Sequence, residues 1–483
     1  MANDGDEDED LARLVCSLRV GSVVAAAGCG KTEQIVKATG HGEGRRLILT
    51  HTHAGVDALR KRLKYRGVPS KRYATDTIAG WCLRYSASYP ARSGLTISEP
   101  KDQHDWTAVY TAGLKLLASG AVTSVLRASY CGVFVDEYQD CNGLQHEVVA
   151  AIAAILPVCV FGDPLQAIFD FNGQPPVDWD REVFPQFPRI RTLTKPHRWH
   201  KYGNTEMANW LEDVRIALET RRPIDFGQAP ACVAWEWLPD QDGPRLSKIV
   251  ATCRATMVLD GDLVVIGDST NLNRRAMIAK KLAKQGFSNI EPIECKTAFA
   301  TAKELMTNSG MKRFMATLDF LERCMSGISR ADFVKAVASR KAGGKLGTAQ
   351  FGNLVDLGLT LQNGAGFDSC LALIEAFNQQ TTTYVFRREM LSAMRSALKI
   401  AISGENADLT DALWQVQNKI RHIGRHIGYR SVGSALLVKG LEFANVVVVH
   451  SPYMSRKDWY VALTRATHTL KVLAPQKRFS PSG

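Results

Sequence analysis

The sequence predicts an α/β protein built of parallel β-sheets covered by helices, and three observations lead to this prediction. Short runs of β-branched residues recur along the chain, each ending at a polar or glycine-containing corner. Some runs, such as VVVV, are apolar at consecutive positions, which is typical of strands buried on both faces of a parallel sheet. Segments with apolar residues at helical spacing lie between the runs, so strands and helices alternate.

The strand signals fall into two groups, separated by a long helical region. The predicted strands lie at residues 23–24, 47–50, 133–136, 158–163, 263–268, 446–450 and 470–473, with helical patterns between them, for example at 55–63 and 273–285. From about residue 300 to 424 the segments have helical periodicity and are joined by glycine-rich or polar stretches such as AGGKLG. Because strand signals resume directly afterwards, this region is predicted to be a helical insertion.

Length and charge limit the classes of protein to consider. A chain of 483 residues is too long for one core, so about two to four domains are expected. The net charge is +12, although residues 4–10 (DGDEDED) contribute six acids, so the remaining chain is more basic than the total suggests. This balance favours a polyanionic partner such as nucleic acid, and a solvated basic surface without a partner is the alternative.

The sequence favours neither a membrane span nor a secretory signal. The longest apolar stretch, at residues 148–161, is interrupted by Pro157 and is too short for a membrane span. The acidic start does not fit a secretory signal, and 11 scattered cysteines without a CxxC pair favour reduced thiols. We therefore expect a cytoplasmic protein that is not bound to a membrane.

The first chemical motif is VVAAAGCGKT, at residues 23–32, where a predicted strand runs into a small-residue loop and then a helix. Backbone N–H groups in such a loop, together with a helix N-terminus, form an anion-binding nest. Lys31 would reach the outer phosphates of a nucleotide, and the Thr32 hydroxyl would bind Mg²⁺. Since Ala25 replaces the first glycine of the strict phosphate-loop pattern, a tight turn without a ligand is the alternative.

A second motif, GVFVDEYQD, places two acids at the end of a predicted strand. Asp136 is suited to hold Mg²⁺ and Glu137 to polarise an attacking water, because phosphoryl transfer depends mainly on positioning and charge stabilisation. Two acids after a strand are common by themselves. Their position about a hundred residues after Lys31 makes them more specific.

Eight blocks in order then establish a resemblance. They are AAAGCGKT (25–32), ILTHTHAGVDALRKRL (48–63), TIAGWCLR (77–84), VDEYQD (135–140), GDPLQAIFDFNG (162–173), LTKPHRW (193–199), KGLEFANVVVV (439–449) and YVALTRATHTL (460–470). This series resembles that of UvrD/Rep-type superfamily 1A DNA helicases. In that family alanine is the usual first residue of the loop, so Ala25 fits the family form.

The resemblance implies a site for ATP and Mg²⁺. Six residues would be catalytic, with Gln166 sensing the γ-phosphate and two arginines stabilising the transition state: Lys31, Asp136, Glu137, Gln166, Arg198 and Arg465. The nucleotide would contact Ala27, Gly28, Cys29, Gly30, Lys31, Thr32, Glu33, His197 and Glu442. Of these, His197 would stack on the base, Glu442 would contact the ribose, and Thr32 would hold the metal together with Asp136.

The same resemblance implies contacts with DNA. Thr52 and His53 would touch the strand, and Phe169 and Phe171 would offer stacking surfaces, although one of the two phenylalanines is equally well placed in a core. In the family, a glutamine upstream of the phosphate loop reads adenine. This chain has no glutamine before Gln34, so it lacks that adenine contact. It also departs at Leu436, Leu437 and Asn172, and each of these departures removes a candidate strand contact.

The family pattern predicts two RecA-like domains and a helical insertion. The expected division is an acidic disordered tail at 1–10, a first domain at 11–198 with a reduced insertion at about 86–130, a second domain at 199–299 and 428–483, and the insertion at 300–427. By resemblance, the predicted activity is ATP-driven 3′–5′ movement on single-stranded DNA with duplex unwinding.

Two other functions are open. The chain resembles compact members found in bacterial anti-phage systems such as Gabija, in which a DNA-stimulated ATPase sensor would act with a nuclease partner without robust unwinding. A catalytically inactive structural subunit is disfavoured because all six predicted catalytic residues are present. Strand displacement distinguishes a helicase from a sensor.

Overall fold

The computed structural model describes residues 4–100, 102–169, 174–292, 295–404, 408–423 and 427–482. The chain forms two compact units: unit 1 is Met1–Ile224 with Ser455–Thr467, and unit 2 is Asp225–Met454 with His468–Ser482. The sequence placed the boundary at residue 198. The structure keeps the following segment in unit 1, where Trp199 is buried and its Nε1 donates to the Ala466 carbonyl at 2.8 Å.

Unit 1 contains a six-stranded parallel sheet. Its strands are β1 Val20–Ala25, β2 Arg46–Thr50, β3 Tyr73–Thr77, β4 Gly132–Val135, β5 Val158–Gly162 and β6 Arg189–Leu193, in the order β3-β2-β4-β5-β1-β6. The four interior strands are buried almost throughout, as their consecutive apolar residues predict. The edge strands β3 and β6 are half-exposed and more polar, so they carried no strand signal.

Helices cover both faces of this sheet. They are α1 Asp4–Ser17, α2 Lys31–His41, α3 His53–Tyr65, α4 Ile78–Ser88, α5 Pro90–Ser93, α6 Gln103–Ala118, α7 Thr123–Ser129, α8 Gly143–Ala153, α9 Phe184–Gln186, α10 His197–Lys201 and α11 Thr205–Glu219. Residues 4–10 belong to α1, whereas a disordered tail was expected there. Acidic residues suit the first turns of a helix because the helix dipole favours negative charge. The predicted small insertion at 86–130 consists largely of the helices α5–α7.

Unit 2 contains a second six-stranded sheet, in the order β10-β13-β9-β14-β15-β8. The strands from residue 224 onward are β7 Ile224–Asp225, β8 Val233–Trp237, β9 Leu263–Gly267, β10 Ser288–Asn289, β11 Met325–Ser326, β12 Tyr384–Val385, β13 Arg430–Ser434, β14 Phe443–Val449, β15 Ala466–Ala474 and β16 Arg478–Phe479. Parallel pairing joins β9 to both β13 and β14, and β15 to β8. The sequence-predicted strands in this unit therefore form the sheet interior.

The remaining helices include the predicted insertion. They are α12 Asp242–Thr256, α13 Leu272–Lys281, α14 Lys296–Thr307, α15 Gly310–Cys324, α16 Arg330–Lys341, α17 Thr348–Phe351, α18 Leu354–Gln362, α19 Phe367–Asn378, α20 Arg388–Ser403, α21 Leu409–Ile423, α22 Ala435–Val438 and, in unit 1, α23 Arg456–Leu463. Helices α14–α21 share one apolar core. A two-residue antiparallel pair, β11 with β12, interrupts the otherwise helical insertion.

A buried ion pair fixes the insertion to the sheet of unit 2. Glu291, which follows β10, accepts two bonds from the Arg387 guanidinium at 2.6 and 2.7 Å. Both side chains are at least nine-tenths buried. This bidentate pair joins the sheet to the start of α20, and its geometry is of the strong kind that arginine makes with carboxylates.

Two global features bear on the expectations about compartment. Within the described part of the chain, no single helix has the length and apolarity to cross a membrane, although the bent pair α6 and α7 passes by length and composition alone. All eleven cysteines carry free thiols.

Candidate nucleotide-binding site

The loop at residues 26–30 joins β1 to α2 in unit 1, at the carboxyl end of the sheet. Gly28 and Gly30 have φ of 75° and 82°, a left-handed backbone conformation that residues with a Cβ rarely adopt. A Cβ at position 28 would also lie 2.8 Å from Cβ of Arg198 and 2.9 Å from the Trp199 ring. The Arg198 backbone N–H donates to the Gly28 carbonyl at 3.1 Å, so the start of α10 lies directly on this loop.

Lys31, the first residue of α2, contacts both predicted acids. Its Nζ lies 2.8 Å from Oε1 of Glu137 and 3.7 Å from Oδ1 of Asp136. The Thr32 hydroxyl donates to the other oxygen of Asp136 at 3.4 Å. The structure therefore brings Lys31, Thr32, Asp136 and Glu137 into one cluster, although they come from two parts of the chain.

Burial and ion pairing set the charges of this cluster. Burial alone would lower the pKa of Lys31, but the neighbouring carboxylates of Glu137 and Asp136 raise that pKa above its usual value. Burial raises the pKa of Asp136 to about 6, against the opposing effect of the Lys31 ammonium. Lys31 is consequently a protonated ammonium that neutralises buried negative charge.

Glu137 has an unusual backbone conformation. Its φ is 55°, in the left-handed region, two residues after the end of β4 and just before a 3₁₀ turn at Tyr138–Asp140. Such conformations cost on the order of 1–3 kcal/mol in non-glycine residues and concentrate at functional sites. The Gln139 side chain donates to the Glu137 carboxylate and accepts from the Asp163 backbone N–H at 3.0 Å. The end of β4 is thereby linked to the end of β5.

Gln166 lies in the 3₁₀ turn Pro164–Gln166 that follows β5. Its Nε2 donates to Oδ2 of Asp163 at 2.8 Å, and the side chain is largely buried. The Asp163 carboxylate also caps the turn by accepting from the Leu165 N–H. Gln166 is thus oriented by Asp163, at the strand end next to the one that carries Asp136 and Glu137.

Two residues that the sequence did not single out connect the loop to this turn. Arg215 on α11 lies 2.9 Å from Asp163 and donates to the Tyr460 hydroxyl at 2.8 Å. That hydroxyl accepts from the Ala27 backbone N–H at 3.0 Å. Tyr460 belongs to a recognised block, but nothing in the sequence distinguishes Arg215 from other helical arginines.

The two predicted arginine fingers have different surroundings. Arg198 is half-buried and donates to the Thr464 carbonyl at 2.7 Å. Arg465 is fully buried, and its guanidinium donates to the Val461 carbonyl and the Thr464 hydroxyl, both at 2.9 Å. Both arginines belong to unit 1.

The other predicted nucleotide contacts are distributed unevenly. His197 lies against the loop, since its ring Cδ2 is 3.3 Å from where a Cβ on Gly30 would be. Glu33 forms a 2.6 Å ion pair with Arg66. Burial raises the pKa of Cys29 to about 12, so its thiol stays protonated. Glu442 is exposed in unit 2, immediately before β14.

The predicted DNA contacts differ in their exposure. Thr52 is exposed, and its hydroxyl caps α3 by accepting from the Gly55 N–H at 3.0 Å. His53 is the half-buried first residue of α3. Phe169 is half-buried, while Phe171 lies outside the described residues.

The fold and the cluster define an α/β protein of two RecA-like domains with a phosphate loop. Residues 98–176, which include β4, Asp136, Glu137 and Gln166, match the family model of the UvrD/REP helicase N-terminal domain. This match covers about a sixth of the chain and agrees with the resemblance to UvrD/Rep-type helicases in that region. No curated protein matches the sequence.

Two solved structures of Arterivirus nonstructural protein 10, a helicase, are similar to the chain. One is a complex with DNA and the other is described without it; each is 11% identical to this chain, with TM-scores of 0.36 and 0.35. Both alignments cover 97% of this chain. The chain spans only 63% and 62% of the lengths of those proteins.

Proposed function

We propose that this protein is an ATP-driven motor that moves 3′ to 5′ along single-stranded DNA and separates duplex DNA. The observation that carries the proposal is the contact of Lys31 with Asp136 and Glu137 beside the glycine loop. A lysine and two acids beside a glycine loop at a helix N-terminus are parts that phosphoryl transfer from a nucleotide uses.

The side chains at this site fit a magnesium ion. The Thr32 hydroxyl and the Asp136 carboxylate lie 3.4 Å apart and supply the hard oxygen ligands that Mg²⁺ prefers. Thr32 and Asp136 would hold this ion, which supplies charge neutralisation at the phosphates.

The Lys31–Glu137 ion pair has a consequence for the reaction. An ammonium bonded to Glu137 is occupied, so Lys31 must exchange that carboxylate for phosphate oxygens when a nucleotide binds. The exchange releases Glu137 to accept a proton from, and orient, the attacking water. Lys31 then acts as the phosphate-binding cation and Glu137 as the general base.

The loop contacts give the remaining residues their roles. Arg198 stabilises charge that develops on the transferred phosphoryl group, since α10 lies directly on the loop. Gln166 reports the state of the phosphates through its turn, and His197 stacks on the base. Arg465 and Glu442 complete the family set as a second arginine and a ribose contact.

Nucleic acid is the proposed polyanionic partner because the chain carries a net charge of +12 despite its acidic first residues. Thr52, His53, Phe169 and Phe171 are the proposed contacts with the strand. Such binding should weaken steeply as salt concentration rises, since phosphate contacts release counterions.

Strand displacement tests the proposal. A duplex with a 3′ single-stranded tail and the same duplex with a 5′ tail are incubated with the protein, ATP and Mg²⁺. A 3′–5′ motor displaces the 3′-tailed duplex only. Hydrolysis stimulated by DNA without displacement of either duplex would overturn the motor and leave the DNA-sensing ATPase, which would act with a nuclease partner.

A further inference from the structure

A cavity of about 550 Å³ lies in unit 1, at the free edge of the sheet. It follows the edge strand β3, with Arg60 of α3 at one side and Arg84 and Tyr85 of α4 at the other. Its volume is within the range of pockets that hold small ligands. None of the residues proposed for the nucleotide site lines it.

The cavity is placed differently from the phosphate loop. Arg45 and Tyr73 stand at or next to the amino ends of β2 and β3, and Tyr130 precedes β4. The phosphate loop and Asp136 instead follow the carboxyl ends of β1 and β4. Because the strands are parallel, the cavity reaches the opposite end of the sheet from the candidate nucleotide site.

Three arginines give the cavity its charge. Arg45, Arg60 and Arg84 line it, and Asp76 is the one carboxylate among the lining residues, which leaves three minus one, or two, positive charges. A guanidinium has five N–H donors, so the bonds these arginines already make do not exhaust them. The cavity therefore favours an anion with several acceptor oxygens.

Hydrogen bonds to residues of β3 hold two of these arginines in place. Arg45 donates from Nε to the Tyr73 carbonyl at 3.3 Å. Arg60 donates to the Thr75 hydroxyl at 2.7 Å and to the Thr75 carbonyl at 3.2 Å, and it also lies 3.8 Å from Asp57. These bonds orient both guanidinium groups along β3, which reduces the entropy lost when an anion binds.

Arg84 and the aromatic residues form the second half of the cavity. Arg84 is paired with Asp76 at 2.6 Å, and its guanidinium lies 5.7 Å from the centre of the Tyr85 ring. Tyr85 in turn stacks on the buried Trp81, with ring centroids 4.7 Å apart. Tyr89 and Tyr130 add further rings to the lining. Aromatic rings held in this way stack on nucleobases with little dependence on sequence.

From this combination we propose that the cavity binds one nucleotide unit, with its phosphate between the guanidinium groups and its base against the tyrosines. Arginine provides forked donors for phosphate oxygens, and tyrosine provides the stacking surface. The nucleotide is either a free nucleoside monophosphate or a nucleotide within a single strand. This site is independent of the phosphate loop, so it does not rest on the proposed function.

Photocrosslinking with 5-iodo-2′-deoxyuridine 5′-monophosphate tests the proposal, since light couples this base to aromatic residues that it touches. The full chain and Lys31→Ala are both irradiated, and crosslinked peptides are mapped. We expect crosslinks on Tyr85, Tyr89 or Tyr130 in both proteins. A short oligonucleotide that ends in the same iodinated nucleotide forms the second arm, and stronger labelling by it would assign the site to strands.

Variants separate binding from folding. Arg60→Gln and Tyr89→Leu should each lower the apparent affinity roughly tenfold. Arg62→Gln, an exposed arginine of the same helix outside the cavity lining, should leave it unchanged. Circular dichroism of each variant checks folding. If Arg60→Gln is not folded, the affinity of Tyr89→Leu tests the proposal in its place. Crosslinks only outside the cavity lining would overturn the proposal. So would a loss of affinity in Arg62→Gln equal to that in Arg60→Gln.

Discussion

Nη1 of Arg215 lies 2.9 Å from the Asp163 carboxylate, and the same atom donates to the Tyr460 hydroxyl at 2.8 Å. Asp163 is fully buried and follows β5. The Tyr460 hydroxyl accepts a hydrogen bond from the backbone N–H of Ala27 in the phosphate loop. One arginine outside every recognised motif thus connects the turn that carries Gln166 to the loop. Replacement of Arg215 is therefore expected to disturb both the Gln166 turn and the phosphate loop.

We expect Arg215→Met to destabilise unit 1 by about 3–5 kcal/mol, because it leaves the Asp163 charge buried without its main partner. Urea unfolding followed by circular dichroism measures the change. Arg127→Met, which removes an exposed arginine of α7, is the matched control and should change stability little. Equal stability of the two variants would show that the Asp163 contact is not a stabilising one.

Glu137→Gln should abolish ATP hydrolysis while nucleotide binding is retained. The amide cannot accept a proton from water, and general-base catalysis typically contributes 10²–10⁴-fold. The variant also removes the negative partner of Lys31, so nucleotide affinity should rise rather than fall. Binding of a fluorescent ATP analogue and steady-state phosphate release are the measurements.

The control for this variant is Glu147→Gln, an exposed acid of α8. It should hydrolyse ATP at the rate of the unchanged protein. If Glu137→Gln retained most of its hydrolysis, the assignment of the general base would be wrong.

His146 predicts how stability depends on pH. Burial lowers the pKa of His146 below its ordinary 6.5, with Glu182 and Glu147 opposing weakly, and its Nδ1 lies 2.7 Å from the Tyr138 hydroxyl. Burial also raises the pKa of Tyr138, so that hydroxyl keeps its proton and shares a hydrogen bond with a neutral imidazole. The folded protein therefore takes up this proton less readily than the unfolded chain.

Stability from His146 is present above pH 6.5 and is lost as the pH falls from 6.5 towards the lowered pKa of the folded state. His146→Gln should reduce the loss of unfolding free energy between pH 7.5 and 5.5. His104→Gln, at an exposed position of α6, should not. An unchanged pH dependence in His146→Gln would contradict this explanation.

Periodicity predicted most of the interior strands of both sheets and none of the four edge strands. Residues 158–161 and 446–449 are apolar at consecutive positions because both faces of those strands are covered, and β5 and β14 lie there. The edge strands β3 and β6 have exposed faces, so their sequences YATDT and RIRTL carry no such run. Interior strand β13 was also missed, since RSVGS is small and polar although largely buried.

The motifs located the nucleotide cluster, but not its supporting contacts. Lys31, Asp136 and Glu137 were found because loop and strand-end chemistry restrict residue types strongly at those positions. Arg215 was missed because its role depends on α11 lying beside Tyr460, which no local pattern encodes. The contacts proposed for DNA stay predictions, and Phe171 lies outside the described residues.

The most direct test of the central claim is ATP hydrolysis by the unchanged protein, Lys31→Ala and Lys37→Ala, each with and without single-stranded DNA. Lys37 is a second lysine of α2 that lies outside the cluster. We expect DNA to stimulate ATP hydrolysis by the unchanged protein and by Lys37→Ala. The hydrolysis rate of Lys31→Ala should be lower by at least about 100-fold. Hydrolysis that persists in Lys31→Ala, or that ignores DNA, would contradict a DNA-dependent motor with its catalytic centre at this loop.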